Sequence, residues 1–253
     1  MRIAAISDIH GNLPALEAVL ADIAAHGADV IVNLGDIASG PLWPRETLER
    51  LMPLGLPTIA GNHERQVLTD PRGASDAFAA ARMTDAQRAW FAALPATRWL
   101  DGEAQDVFLC HGAPASDLVM WLETIDPGAP TLRAATHAEV AARAGGVDTS
   151  AATLVLCGHT HVPRVVAVDE RRIVVNPGSV GLQAYEMDEP HPHVVENGTP
   201  HARYAIVERA AAGWNVTHRA VAYDWHAAAT RAAAGNRPEW ARGLARGWLR
   251  ASE

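Results

Sequence analysis

The chain has 253 residues, is 49% hydrophobic and 20% charged, and carries a formal net charge of −8 with only two cysteines. These values describe an ordinary globular protein long enough to bury a core without cross-links, exclude a disulfide scaffold and argue against nonspecific binding to nucleic acid. No run approaches the ~20 apolar residues of a membrane span, and MRIAAISDIH is too short and too weakly basic for a signal peptide, so a cytoplasmic protein with no membrane partner is expected.

Residues 2–7 (RIAAIS) have the short apolar pattern of a buried strand. Over residues 13–26, Leu13, Leu16, Val19, Leu20 and Ile23 share one helical face, with Asn12 placed to cap the helix and Pro14 in its first turn. A second strand fits 29–34 (DVIVNL), a helix 44–52, and a third strand 57–60 (PTIA). Residues 75–93 read as an alanine-rich helix, and 97–100 with 105–110 as a hairpin around Asp101-Gly102. A loop is expected over 113–130, a helix over 132–143, and strands over 152–157, 164–168 and 171–175, the last two joined at Asp169-Glu170. The His-, Pro- and Glu-rich stretch 182–202 predicts an exposed loop. Residues 203–208 and 214–221 predict a final hairpin around Gly213. Residues 226–250 predict a helix broken near Gly235 to Pro238, with Trp240, Leu244 and Trp248 forming a stripe against the core. Strands alternating with helices indicate an α/β fold. Because the second half adds strands to the same core, one domain over 1–253 is expected. Cys110 and Cys157 each end an apolar run and read as reduced core thiols.

The polar residues that end the apolar runs carry the chemistry. Asp8 and His10 follow the first strand, Asp36 the second, Asn62 and His63 the third, His111 the DVFLC run, and His159 and His161 the TLVLC run. Ligands in open α/β sheets bind beyond the carboxyl ends of strands, so these residues are expected to converge. Asp8, Asp36 and Asn62 offer oxygen, and His10, His111, His159 and His161 offer imidazole nitrogen. A mixed O/N set suits Mn, Fe, Zn, Ni or Co better than calcium. It is too large for one tetrahedral ion but suits two ions bridged by a carboxylate.

SDIHGN (7–12), GDI (35–37), GNHE (61–64), HG (111–112), GHTH (158–161) and NPGS (176–179) together resemble, in order, the motifs of the calcineurin-like metallophosphoesterase superfamily. Within it, the pattern is most similar to the small bacterial YfcE-type phosphodiesterases. The resemblance covers residues 7 to 181. It implies a four-layer α-β-β-α sandwich of two mixed sheets flanked by helices. It also implies two divalent transition-metal ions, manganese favoured, that activate water to cleave a phosphodiester or phosphomonoester. By resemblance, Asp8, His10 and His161 would hold one ion, and Asn62, His111 and His159 the other, with Asp36 bridging. His63 would donate a proton to the leaving oxygen, and Asn176 and Ser179 would shape the site from behind the ligands. Many members carry Asp after the His of GNH, where it orients that imidazole. Glu64 stands there in this chain, leaving a His63–Glu64 dyad open. The implied partner is a small phosphorylated substrate, nucleotides among the candidates. Other activities in the superfamily are dinucleoside polyphosphate hydrolysis, protein dephosphorylation and non-catalytic scaffolding. The retained His63 argues against the last.

His191, His193 and His201 read as a polar surface loop, with a substrate rim as the sharper alternative. Trp43 and Trp121 are candidates for stacking on a base, although packing is the simpler expectation. Arg45 and Arg65 lie near motif ends, where an anionic substrate would pass.

Overall fold

Strand β1 (Arg2–Ile6) is buried from Ile3 to Ile6, as a strand covered on both faces must be. It pairs in parallel with β2 (Val30–Asn33) across α1 (Leu13–His26), whose cap is the Asn12 side chain accepting from Ala15 N. The computed structural model describes residues 1–250. After α2 (Pro44–Leu51), the strand expected over 57–60 reduces to one parallel bridge between Thr58 and Asn33. Pro57 has no N–H to extend a ladder, and the chain turns at once into α3 (Asn62–Thr69), a helix the apolar pattern does not reveal.

The helix expected over 75–93 is two helices, α4 (Ala74–Ala80) and α5 (Asp85–Ala93). Thr84 divides them. Its hydroxyl accepts from Gln87 N at 3.2 Å while the Gln87 side chain accepts from Thr84 N at 2.9 Å, a reciprocal cap that starts a new helix. Next come β3 (Arg98–Trp99), β4 (Val107–Leu109), β5 (Glu123–Thr124) and β6 (Arg133–Ala134). The helix expected from residue 132 begins later, as α6 (His137–Arg143), because Thr136 and Glu139 form the same kind of cap. Strands β7 (Leu154–Leu156), β8 (Arg164–Ala167) and β9 (Ile173–Asn176) follow as expected.

The stretch 182–202 is not an exposed loop. It contains the antiparallel pair β10 (Ala184–Met187) and β11 (His193–Glu196), with Leu182, Gln183, Ala184 and His193 buried. The chain closes with β12 (Ala202–Ala210), β13 (Gly213–Val221), α7 (Trp225–Ala234) and α8 (Pro238–Arg246). The stripe expected on α8 holds for Trp240 and Leu244 but not for Trp248. Gly247 ends the helix in left-handed conformation at φ 69°, leaving Trp248 48% exposed.

Two mixed sheets form, ordered β13-β12-β1-β2 and β3-β4-β7-β9-β8. Side chains alternate across each strand, and that alternation builds the layers. Ile3, Ala5, Val32 and Leu34 face Leu109, Leu154, Leu156 and Val175 between the sheets. Ala4 and Ile6 face outward, beneath Leu16, Val19, Leu20 and Ile23 of α1. Phe108, Val155 and Val174 face the opposite way, beneath Val140 of α6 and Trp121. The result is helix, sheet, sheet, helix. Cys110 and Cys157 are free and buried in this last cluster. Among the described residues, no helix is long and apolar enough to cross a membrane.

Leu16 is 0% exposed at the centre of the α1–sheet contact. Leu16→Ala should lower unfolding stability by about 2–5 kcal/mol in urea denaturation, with the fold retained. A loss below about 1 kcal/mol would contradict a close-packed contact there.

Candidate metal centre

The turns leaving β1, β2 and β7 are bent sharply. Of six non-glycine residues with positive φ among those described, five carry candidate ligands: Asp8 (54°), His10 (51°), Asp36 (55°), His159 (71°) and His161 (62°). The left-handed region costs most side chains free energy and persists only where surrounding structure enforces it. Here the turns brace one another. Asp8 N donates to Gly35 O, His10 N to Asp36 O, Gly181 N to Asp8 O and Gly158 N to His111 O, at 2.7–3.0 Å. Close approach requires glycine at two positions: a Cβ at Gly61 would strike the Asp36 carboxylate, and one at Gly158 the Ser7 hydroxyl.

Two ligand groups result. In the first, Asp8, His10 and His161 each place a donor atom within 4.8 Å of the others. His10 Nδ1 donates to Ser39 O and His161 Nδ1 to Leu182 O, both at 2.7 Å. A carbonyl only accepts, so these bonds leave the lone pair of each neutral ring on Nε2. The two Nε2 atoms face each other across 3.1 Å, with Asp8 Oδ1 3.4 Å from that of His161. Opposed lone pairs beside a carboxylate repel unless a cation lies between them.

In the second group, donor atoms of Asp36, His111 and His159 likewise lie within 4.8 Å of one another. His111 Nδ1 donates to Leu34 O at 2.7 Å, turning Nε2 toward Asp36 Oδ2 at 3.1 Å. His159 is reversed. Its Nε2 donates to Leu118 O at 3.1 Å, and its Nδ1 faces Asn62 Oδ1 at 3.0 Å. All seven residues expected as ligands therefore converge. Asp8 Oδ1 and His111 Nε2 are buried without a hydrogen-bond partner, although each points into the cluster. Orphaned buried atoms are costly, and the donor set fits a divalent transition ion at each group.

Burial would raise the Asp36 pKa, but the imidazoles of His111 and His63 hold it well below the ordinary value. Burial and then the neighbouring His161 lower His10 to about 4, and burial and then His111 lower His159 to about 4. Both rings are neutral at pH 7 and can donate a lone pair. Burial works against protonated His111, but Asp36 outweighs it and raises that pKa to about 10, so without metal this ring is a cation beside Asp36, and a bound ion would have to displace its Nε2 proton.

Glu64 does not form a dyad with His63. Its carboxylate accepts from Asp36 N (2.7 Å), Ile37 N (2.8 Å) and Gly61 N (2.7 Å), capping α3 and fixing the Asp36 turn. Adjacent helical residues point in different directions. The partner of His63 is Asp76, in the first turn of α4, whose Oδ1 accepts from His63 Nδ1 at 2.8 Å. In sequence, Asp76 looks like an ordinary acid at a helix start, and no spacing signals its role. His63 Nε2 then faces the cleft, 4.0 Å from Asp36 Oδ2. Burial would lower the His63 pKa, but Asp36 and then Asp76 raise it to about 9.

Asn176 and Ser179 lie behind the ligands. Asn176 Nδ2 donates to Gly158 O at 2.7 Å, and the Ser179 hydroxyl donates to Asp8 O at 2.7 Å. Trp121 is a core residue whose Nε1 donates to Val140 O. Arg45 pairs with Glu49 outside the cleft, whereas Arg65 lines it. His191 donates to Ala129 O, and buried His193 to His191 O, away from the ligands.

The family model described as the calcineurin-like phosphoesterase superfamily domain matches residues 1–196. An uncharacterized protein of Methanocaldococcus jannaschii is 47% identical over 66 residues, 26% of this chain. The matched stretch spans only 27% of that curated relative. A solved metallophosphoesterase from Sphaerobacter thermophilus is similar over 98% of this chain and 100% of its own, at 27% identity and a TM-score of 0.72. A hypothetical protein from Pyrococcus horikoshii shares the fold over 98% and 99% of the two chains, at 20% identity and a TM-score of 0.72.

Asp76→Asn removes the charge next to His63 while keeping its size. The His63 pKa, followed by NMR titration of the imidazole, should fall by about 1–3 pH units. An unchanged value would mean that Asp76 does not set the state of His63.

Proposed function

The chain belongs to the calcineurin-like phosphoesterase superfamily, and from that premise we propose that it hydrolyses phosphodiester or phosphomonoester bonds at a centre of two divalent transition ions. One observation carries the reading: two ligand groups, each of a carboxylate and two imidazoles, open on one cleft beside a histidine whose side chain bonds Asp76 and no ligand. Asp8, His10 and His161 would hold one ion, and Asn62, His111 and His159 the other. Asp36 would bridge, since its carboxylate lies beside His111 and also influences His10. Manganese is the favoured ion among Mn, Fe, Zn, Ni and Co, all of which accept oxygen and imidazole. Such a pair supplies Lewis acidity and a water of lowered pKa.

The protein's own groups do the rest. The carbonyls of Ser39, Leu34 and Leu182 fix the tautomers of His10, His111 and His161. Asp36 and Asp76 hold His63 protonated, and the bond to Asp76 turns its Nε2 edge toward the cleft, where it can deliver a proton to the departing oxygen. Asn62 contributes its amide oxygen from the first turn of α3, one residue before that acid. The substrate is a small phosphorylated molecule, and the chain acts in the cytoplasm as one domain.

Purified protein supplied with Mn²⁺ should hydrolyse bis(p-nitrophenyl) phosphate or p-nitrophenyl phosphate, and chelation should abolish turnover. Asp36→Ala should lose both ions, by mass-spectrometric metal analysis, together with activity. Near-normal turnover with two ions bound would contradict the bridge. His63→Ala should keep its metal while kcat falls by about 10²–10⁴-fold, most for poor leaving groups. Collapse of the metal content would make His63 a ligand instead.

A further inference from the structure

The cleft at the ligand groups encloses about 890 Å³, a size that takes up a whole drug-sized molecule rather than a phosphoryl group alone. One wall is apolar. Leu182, Tyr185 and Met187 reach it from β10 and the turn before it, and Trp240 and Leu249 from the C-terminal segment. Gly243 of α8 lets these segments touch, since a Cβ there would strike Ala184 O. The wall starts at the ligands: Tyr185 packs edge-on to His161 with ring centroids 4.7 Å apart, and Trp240 to His10 at 6.0 Å. Farther out, Met187 is 41% exposed.

The charges in the same cleft are not arranged for a polyanion. The chain contains no lysine. Each arginine lining the cleft already rests on a carboxylate. Arg65 donates twice to Asp117 at 2.9 Å, Arg72 lies 2.6 Å from Asp70, and Arg237 donates to Glu239 at 2.5 Å. Asp188 adds negative charge to the rim, where Glu186 lies 3.6 Å from Arg242.

We infer that the substrate is a monoanionic phosphodiester whose second substituent is apolar and aryl-sized, recognised along Tyr185 and Met187, and not a polyphosphate. The inference rests on the hydrolytic reading above. With Asp8, Asp36 and one hydroxide as counter-charges, two divalent ions would retain one positive charge, to which the His63–Asp76 pair adds none, and that charge matches a diester anion. Each further phosphate of a polyphosphate would meet rim carboxylates with no uncommitted cation.

Phenyl p-nitrophenyl phosphate and methyl p-nitrophenyl phosphate share a leaving group and differ only in the second substituent. The Mn²⁺-loaded protein should cleave the phenyl ester with kcat/KM about ten-fold higher or more, chiefly through KM, as burial of an aromatic ring predicts. Tyr185→Ala and Met187→Ala should each bring the phenyl ester toward the methyl ester. By titration calorimetry, diphenyl phosphate should bind more tightly than dimethyl phosphate and than diadenosine tetraphosphate. Equal handling of the two esters, or tighter binding of the tetraphosphate, would overturn the inference while leaving hydrolysis intact. Absence of cleavage with the diphenyl preference in binding retained would overturn the hydrolytic reading and support the wall along Tyr185 and Met187 only as a binding surface for an aryl phosphodiester.

Discussion

Two carboxylates, Asp8 and Asp36, lie at 0% and 2% exposure at the meeting point of the two sheets' loops, and the surroundings are arranged around that buried charge. Desolvating a carboxylate costs several kcal/mol, so each must be compensated locally. His159 N donates to Asp8 Oδ2 at 3.2 Å and His63 N to Asp36 Oδ1 at 3.0 Å, while the His111 imidazole lies 3.1 Å from Asp36 Oδ2. A third buried carboxylate, Glu64, accepts from backbone N–H groups, two in the turn that carries Asp36 and one from Gly61 at the start of α3. Structural and chemical carboxylates are thus separated by their partners. The one that accepts three amide protons is a fastener, whereas Asp8 keeps an oxygen with no protein partner.

The same requirement accounts for the backbone. Presenting Asp and His from successive strand ends to one point forces left-handed conformations at five residues. Strain of that kind is tolerated because each turn is hydrogen-bonded to the next. The sheets supply the rigidity. Strands β1 and β7, which precede four of the candidate ligands, are buried from Ile3 to Ile6 and from Leu154 to Leu156. A loose loop in either place would leave imidazoles free to rotate away from their carbonyls.

Much of this was legible in the sequence, for physical reasons. Apolar runs ending in Asp, Asn or His mark strands that deliver polar groups to a sheet edge, and all seven expected ligands meet there. What stayed hidden depends on contacts across the chain. Asp76 is 13 positions from His63, on another helix, with nothing local to distinguish it from a helix-start acid. Glu64 is next to His63 in sequence, which suggested a pair, but α3 directs the two side chains apart. The β10–β11 pair was masked by its His, Pro and acidic composition, although Ala184 and His193 are buried against the rest. The placement of Trp240 beside His10 could not be read from a helical stripe, which says only that a side chain is covered.

The central claim is a pair of ions sharing Asp36. Crystals grown with Mn²⁺ and measured at the manganese absorption edge test it most directly. The expected result is two anomalous peaks about 3.5–4 Å apart, one among Asp8, His10 and His161, the other among Asn62, His111 and His159, with Asp36 touching both. A single peak, or a peak coordinated by His63, would contradict it.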